Sequence, residues 1–193
     1  MTGPYNLLFA GVGGQGVITG SSLLARAAIA SGLDVRMYGS YGMSQRGGSV
    51  SAQLRIGDHV LNARIEKGEV HLLIGLELIE TVRWVPFISG GGTVIAHNEL
   101  IPPVGKVIKD EGARLREFLT SVPNAVLLDA ERLSGPAGSR GMNAVMLGAA
   151  SSVGGFPVNA AAIESCIRED FGSKAEPRLA AFRKGKEAIR EGE

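Results

Sequence analysis

The sequence has 193 residues, of which 45% are hydrophobic and 5% are aromatic. This length predicts one domain over residues 1–193 with an aliphatic core. Twenty basic and nineteen acidic side chains leave a net charge of +1, which argues against nucleic acid or an anionic membrane surface as a partner. The single cysteine, Cys166, excludes an internal disulfide and any iron–sulfur or zinc site built from several thiolates of this chain.

No stretch of the sequence has the length and apolar character of a membrane span. The least charged stretch, residues 16–34, contains Arg26 and several glycines and serines. The N-terminus has neither the basic region nor the cleavage site of a signal peptide. We therefore expect a reduced, cytoplasmic compartment.

Apolar runs bounded by glycine, proline and polar residues predict strands and helices that mostly alternate. The predicted strands are residues 5–10, 34–38, 49–56, 60–65, 70–75, 93–97 and 125–129. The predicted helices are residues 15–31, 76–84, 110–121, 143–153, 160–170 and 176–190. This order predicts an α/β fold around a largely parallel sheet.

Three local patterns refine this prediction. Residues 49–56 alternate apolar and polar side chains, which is typical of a half-exposed strand, and residues 60–65 are expected to return beside it as an antiparallel hairpin. Residues 90–92 are three glycines and predict a turn before the next strand. The first helix carries one charge, Arg26, so we expect it to be covered on more than one side, in part by another subunit.

Gly11, Gly13 and Gly16 form a G-x-G-x-x-G pattern between the first strand and the first helix. In dinucleotide-binding folds such glycines allow a tight turn and close approach to a pyrophosphate at the helix N-terminus. The acid that binds the ribose in those folds is missing, because Asp34 precedes the second strand and the next acid is Asp58. The pattern is compatible with a NAD or FAD site, a structural turn, or a contact with another phosphate or a partner loop.

A second glycine-rich segment, residues 39–48, follows the second strand. Arg46 offers a planar fork of donors that suits a carboxylate or a phosphate, and it lies among small residues. Ordering the larger side chains of this segment is costly unless they meet a ligand or a partner. The candidate binding residues of the two segments are Gly13, Gly14, Gln15, Gly16, Tyr41, Gln45, Arg46, Gly47 and Gly48.

The rest of the sequence lacks the residue groupings that catalysis requires. His59, His71 and His97 are scattered without metal-ligand spacing, and they are expected to have structural or surface roles. Cys166 lies among apolar residues of a predicted helix, as a buried and inert thiol. We expect no catalytic residue and no metal site, and we expect the chain to work as part of an assembly.

Residues 11–17 (Gly-Val-Gly-Gly-Gln-Gly-Val) and 42–50 (Gly-Met-Ser-Gln-Arg-Gly-Gly-Ser-Val) together resemble the gamma-type subunit, or domain, of 2-oxoacid:ferredoxin oxidoreductases. Further similarity runs through residues 75–77 (Gly-Leu-Glu) and the helix that begins at residues 142–143 (Met-Asn). The form of the second segment, followed by residues 101–104 (Ile-Pro-Pro-Val), is most similar to the beta subunit of indolepyruvate ferredoxin oxidoreductases.

The resemblance implies a three-layer α/β/α domain in a multisubunit complex that converts a 2-oxoacid and coenzyme A into acyl-CoA and carbon dioxide while reducing ferredoxin. It implies that the complex uses thiamine diphosphate, Mg, iron–sulfur clusters and coenzyme A, with no cofactor bound by this chain alone. The implied partners are the subunits that carry thiamine diphosphate and the clusters, and the isolated chain is a candidate homodimer. The alternatives are a stand-alone nucleotide-binding oxidoreductase and a regulatory binding module.

Overall fold

The computed structural model describes residues 3–41, 47–102 and 110–190, except for the side chains of Tyr41 and Arg190. The described strands are β1 (Tyr5–Val12), β2 (Asp34–Tyr41), β3 (Ser49–Gly57), β4 (Val70–Gly75), β5 (Ile88–His97) and β6 (Ala125–Leu128). The described helices are α1 (Val17–Ala30), α2 (Leu78–Trp84), α3 (Glu111–Ser121), α4 (Ala130–Ser134), α5 (Met142–Ala150), α6 (Ala160–Phe171) and α7 (Ala175–Arg190). None of these helices is both long enough and apolar enough to cross a membrane.

The six strands form one mixed sheet in the order β2-β3-β1-β4-β5-β6. β1, β4, β5 and β6 pair in parallel, whereas β3 runs antiparallel to both of its neighbours, β1 and β2. β2 and β3 follow each other closely in the chain, and a short connection joins antiparallel neighbours. The strands that run parallel need longer crossovers, which α1, α2 and α3 supply.

Alternate side chains of β1 enter two different hydrophobic cores. Leu7 and Phe9 pack on one face of the sheet with α1, α5, α6 and α7. Leu8 and Ala10 pack on the other face with residues of α2 and α3. The predicted α/β fold is confirmed, and helices cover the sheet on both faces as the resemblance implies.

The predicted hairpin of residues 49–56 with residues 60–65 is wrong. β3 pairs instead with β2, and residues 58–67 form no strand. Side chains of the sheet bind the backbone of this segment, since Gln53 Oε1 accepts from the N–H of Ile65 at 2.8 Å. β3 is an interior strand, and its polar residues Ser51 and Gln53 are buried, not half-exposed. Gln53 alternates with apolar residues because it binds a loop inside the protein. In the sequence, this pattern looks the same as that of side chains that face water.

Other elements of this chain cover one face of α1, the helix with a single charge. Its buried face, which includes Leu24 and Ala28, packs against the sheet and α6. Arg26 on α1 forms an ion pair with Asp170 on α6. Thr19 and Ile29 of α1 stay exposed, so the expectation that a second subunit covers part of this helix stays a prediction.

The triple glycine of residues 90–92 lies inside β5, so the predicted turn before the strand is wrong. Pairing with β4 jumps from Ile88 to Thr93, which is a local bulge. A Cβ atom at Gly92 would lie 2.6 Å from the carbonyl oxygen of Val70. Glycine is needed here because the backbone of the neighbouring strand approaches too closely for a side chain.

Candidate functional site

The carboxyl ends of β1, β4, β5 and β6 lie at one edge of the sheet, which we call the carboxyl edge. β2 also ends and β3 begins there, because β3 runs antiparallel to both neighbours. The glycine turn after β1 and the β2–β3 connection therefore share this edge. In open α/β sheets, ligands bind at the carboxyl ends of the strands.

The structure places the two glycine-rich segments side by side. The N–H of Gly13 donates to the carbonyl oxygen of Gly48 at 2.8 Å, and the N–H of Gly47 points back at the carbonyl of Gly13 at 3.5 Å. Gln45 and Arg46 lie outside the described residues, as does the side chain of Tyr41. The binding role of these residues stays a prediction.

The side chain of Gln15 stabilises the glycine turn through hydrogen bonds within the chain. Its Oε1 accepts from the N–H of Val12 at 2.8 Å. Its Nε2 donates to the carbonyl of Leu76 and to Oε2 of Glu99, each at 2.8 Å. Both amide hydrogens are used within the chain, so this side chain shapes the turn instead of offering donors to a ligand.

Two glycines of the G-x-G-x-x-G pattern are required by contacts within the chain. A Cβ at Gly11 would lie 2.8 Å from Gln15 Oε1. Gly16 has a φ of 82° at the start of α1, and Asn143 Nδ2 donates to its carbonyl at 3.2 Å. Gly14 has a φ of 102° and open space where a side chain would stand. Contacts within the chain therefore explain why positions 11 and 16 are glycines, as expected of a structural turn.

The sheet order disfavours a dinucleotide site. In dinucleotide-binding folds β2 lies next to β1, so that an acid at its end reaches the ribose. Here β3 lies between them. Two strand spacings separate β1 from β2 by about 10 Å. The turn after β1 and the end of β2 are too far apart for the usual NAD or FAD geometry.

A cavity of about 420 Å³ opens beside the glycine turn, between α1, α5 and α6. Small-ligand pockets span about 300–1,000 Å³. The wall includes the charged and polar side chains of His97, Glu99, Glu131, Arg140, Asn143 and Arg178. Its apolar side includes Leu23, Leu147, Ile167 and Phe171. The cavity has room for a small amphipathic group beside the turn.

His97 connects the end of β5 to the segment after β6. Its Nδ1 lies 3.2 Å from the carbonyl of Leu128 and 3.2 Å from the backbone nitrogen of Ala130, while Nε2 lies 3.6 Å from Glu99 Oε2. His71 is half-buried and accepts from the backbone of Asn6, and His59 is exposed. The structural or surface roles expected for the three histidines stay predictions. Sequence reasoning missed that His97 and Glu99 line the cavity.

Glu77 is a buried carboxylate at the N-cap of α2. Its Oε2 accepts from the N–H of Glu80 at 2.8 Å, and its Oε1 accepts from the N–H of Ile101 at 3.1 Å. Burial raises the pKa of Glu77 above its ordinary value, although these hydrogen bonds oppose the shift. An acid followed three residues later by Glu at a helix start is the available sequence signal for this cap.

Cys166 lies buried on α6, and burial raises the pKa of its thiol. The prediction of a buried cysteine is confirmed. Among the described residues, no group of three or more His, Cys, Asp or Glu side chains is placed to hold a metal ion. One buried thiol does not fit an iron–sulfur cluster held by several thiolates.

The chain belongs to the pyruvate ferredoxin/flavodoxin oxidoreductase family, whose model matches residues 6–188. The indolepyruvate oxidoreductase subunit IorB of Pyrococcus horikoshii is 34% identical over 97% of this chain and 96% of its own length. The keto/oxoacid ferredoxin oxidoreductase gamma subunit of Geobacter sulfurreducens superposes with a TM-score of 0.70 at 22% identity, covering 97% of this chain and 99% of that chain.

A third similarity is to the 2-oxoglutarate:ferredoxin oxidoreductase of Magnetococcus marinus, solved with 2-oxoglutarate, coenzyme A and succinyl-CoA bound. The TM-score is 0.75 at 19% identity, and the match covers 99% of this chain but 32% of that one. The two solved structures show a shared fold. The family expected from the two glycine-rich segments is confirmed.

Proposed function

We propose that this chain is the gamma-type subunit of an indolepyruvate ferredoxin oxidoreductase. The family assigns it to the subunits of 2-oxoacid:ferredoxin oxidoreductase complexes. The choice of oxoacid is supported by the Pyrococcus horikoshii relative, whose name specifies indolepyruvate. No described contact favours a stand-alone nucleotide-binding enzyme or a regulatory module.

In this role the chain is not catalytic alone, and we assign thiamine diphosphate, Mg and the iron–sulfur clusters to partner subunits in the cytoplasm. These groups supply the decarboxylation and electron transfer that convert a 2-oxoacid and coenzyme A into acyl-CoA and carbon dioxide. The single cysteine, Cys166, supports placing the clusters elsewhere. Electrons leave the complex on ferredoxin.

The carboxyl edge is the proposed contact with the thiamine-diphosphate subunit. Its surface consists of residues 13–16 and 41–48, and Arg46 binds an anion there, either a phosphate of coenzyme A or a partner carboxylate. The observation that carries this proposal is the 2.8 Å hydrogen bond from Gly13 to Gly48, because it joins the two glycine-rich segments at one place.

Arg46→Ala in the reconstituted complex tests this assignment. Loss of a hydrogen-bonded charge costs about 1.5–3 kcal/mol, or roughly tenfold to a hundredfold in binding. We expect the KM for coenzyme A to rise, or assembly to weaken, by that factor. Arg183→Ala, which removes a half-exposed guanidinium from α7, is the matched control. Unchanged KM and unchanged assembly would contradict the role of Arg46.

Rates with indolepyruvate, pyruvate and 2-oxoglutarate test the oxoacid assignment in the same complex. We expect the highest kcat/KM for indolepyruvate. A preference for pyruvate or 2-oxoglutarate would overturn that assignment and leave the subunit role intact. Light scattering of the isolated chain tests the candidate homodimer.

A further inference from the structure

The cavity beside the glycine turn carries charges of both signs in its wall. Arg140 and Arg178 contribute guanidinium groups, whereas Glu99 and Glu131 contribute carboxylates. These positive and negative groups balance, so the wall as a whole favours neither a simple anion nor a simple cation. A ligand that carries one charge of each sign matches this arrangement.

Glu99 keeps one carboxylate oxygen available for a ligand. Its Oε2 accepts from Gln15 Nε2 at 2.8 Å and lies 3.6 Å from Nε2 of His97. Its Oε1 has no hydrogen-bond partner among the described contacts, and 38% of the side chain is exposed. Because an ionised carboxylate accepts at both oxygens, Oε1 suits a donor such as an ammonium group.

Arg178, on α7, is held against an apolar ring in the same wall. Its guanidinium carbon lies 4.0 Å from the centre of the Phe171 ring, and its Nη1 donates to the carbonyl oxygen of Lys174 at 2.9 Å. Its Nε is buried and has no partner in the described part of the chain. Nε and Nη2 together form a side of the guanidinium that can bind a carboxylate through two parallel hydrogen bonds. Arg140, which is exposed in the connection between α4 and α5, adds a second guanidinium to this wall.

The apolar part of the wall comes from three helices. Leu23 lies on α1, Leu147 lies on α5, and α6 contributes Ile167 and Phe171. The volume of about 420 Å³ is within the range of small-ligand pockets. The cavity therefore has room for an apolar body beside the charged groups, and burial of that body would contribute to binding.

We propose that this cavity binds an α-amino acid with a large apolar side chain. The carboxylate of the amino acid contacts the guanidinium groups of Arg140 and Arg178, and its ammonium group contacts Glu99 Oε1. Its side chain packs among the apolar residues of the three helices. This site goes beyond the proposed function and does not depend on it, because neither Arg46 nor the oxoacid takes part.

Calorimetric titration of the full isolated chain with four probes tests each part of the proposal. L-Phenylalanine carries both charges and an apolar ring. 3-Phenylpropionate lacks the ammonium group, 2-phenylethylamine lacks the carboxylate, and glycine lacks the ring. A hydrogen bond to a charged group is worth about tenfold or more in an equilibrium constant, and burial of an aromatic ring is worth at least as much.

We therefore expect each of the three partial probes to bind at least about tenfold more weakly than L-phenylalanine. Equal or tighter binding of any partial probe would overturn the proposal, as would the absence of L-phenylalanine binding.

Two substitutions test the charged contacts. Glu99→Gln keeps an acceptor for Gln15 and removes the charge, so the affinity for L-phenylalanine should fall about tenfold while that for 3-phenylpropionate does not fall. Arg140→Ala should lower the affinity for L-phenylalanine and for 3-phenylpropionate by about the same factor. It should not lower the affinity for 2-phenylethylamine, which has no carboxylate.

Arg132→Ala is the matched control, because it removes a guanidinium that pairs with Asp129 at the start of α4 and lies outside the cavity wall. It should bind L-phenylalanine with the parental affinity. Unchanged affinity in Glu99→Gln or Arg140→Ala, or an equal loss in Arg132→Ala, would overturn the proposal. The probe series on the parental chain decides the question if a variant does not fold.

Discussion

The carboxyl edge and the interface between α5 and α7 are held together by different means. At the interface, a Cβ atom added at Gly148 or Gly185 would lie 2.0 Å from a backbone carbonyl oxygen of the facing helix, which is much closer than van der Waals contact allows. At the edge, side chains such as Gln15 and Glu77 bind backbone groups of neighbouring loops. Close backbone packing determines stability in the first region, whereas polar side chains determine loop position in the second. We therefore expect substitutions at the interface to cause a large loss of stability, and substitutions at the edge to cause a smaller loss that depends on pH.

The largest expected effect is at the helix interface. Gly148→Ala places a methyl group against the backbone of Phe182 and forces α5 and α7 apart. Overpacking of this kind costs typically about 1–3 kcal/mol and occasionally more, and we expect about 3 kcal/mol in the free energy of unfolding. Urea denaturation measures it. Gly154→Ala is the control, because its Cβ meets open space. Equal stability of Gly148→Ala and the parent would contradict the packing argument.

A smaller and pH-dependent effect is expected at the edge from Gln15→Glu. The change removes the donors to Leu76 and Glu99 and adds a second carboxylate beside Glu99. We expect a loss of about 2 kcal/mol at pH 7. Part of this loss should return as the pH falls through about 4.3, the ordinary pKa of a glutamate, because protonation of the introduced carboxylate relieves the repulsion.

Gln15→Ala separates the two causes of that loss. It removes the same hydrogen bonds without adding a charge. Its destabilisation relative to the parent should therefore change little between pH 7 and pH 4. Urea denaturation of both variants at each pH gives the comparison. The same pH dependence in the two variants would contradict a like-charge contact between residue 15 and Glu99.

The smallest expected effect comes from His71, whose pKa is lowered by burial. Its Nδ1 accepts the N–H of Asn6 at 2.9 Å, which requires an unprotonated nitrogen. The folded state favours the neutral ring, so its contribution to stability is complete above the ordinary pKa of about 6.5. That contribution is lost as the pH falls through the lowered folded pKa.

His71→Gln should therefore flatten the pH dependence of unfolding just below pH 6.5. His59→Gln, the same substitution at an exposed position, is the comparison variant. Thermal or urea unfolding at closely spaced pH values measures both variants. A flattened profile in the His59 variant alone would reverse this assignment.

The sequence predicted the alternation of elements because the runs at β1, β4 and most helices are bounded by strong turn signals. It did not predict that β3 lies between β1 and β2, since that order depends on pairing across long stretches of chain. Gln53 and Ser51 made β3 look half-exposed, because polar side chains buried inside a protein alternate with the same period as solvated ones. Gln53 is buried with a hydrogen bond to the backbone of Ile65. The three glycines of β5 looked like a turn because glycine is common both in turns and in β-bulges.

The candidate site was predictable where it depends on local chemistry. The glycine patterns of the two segments marked Gly13 and Gly48 as candidate binding residues, and the structure joins these two residues by a hydrogen bond. The hydrogen bonds from Gln15 to Leu76 and from Ser49 to Glu80 were not predictable, because the paired residues come from distant parts of the chain. Glu80 occupies a position typical of a helix cap, and nothing near it in the sequence points to Ser49.

Hydrogen–deuterium exchange of the free chain and of the reconstituted complex tests the central claim most directly. If the carboxyl edge meets the partner subunit, assembly should slow exchange at the amides of residues 13–16 and 47–49. Exchange in α5 and α7 should stay unchanged. Protection confined to α5 and α7, with the edge exchanging as it does in the free chain, would contradict the account.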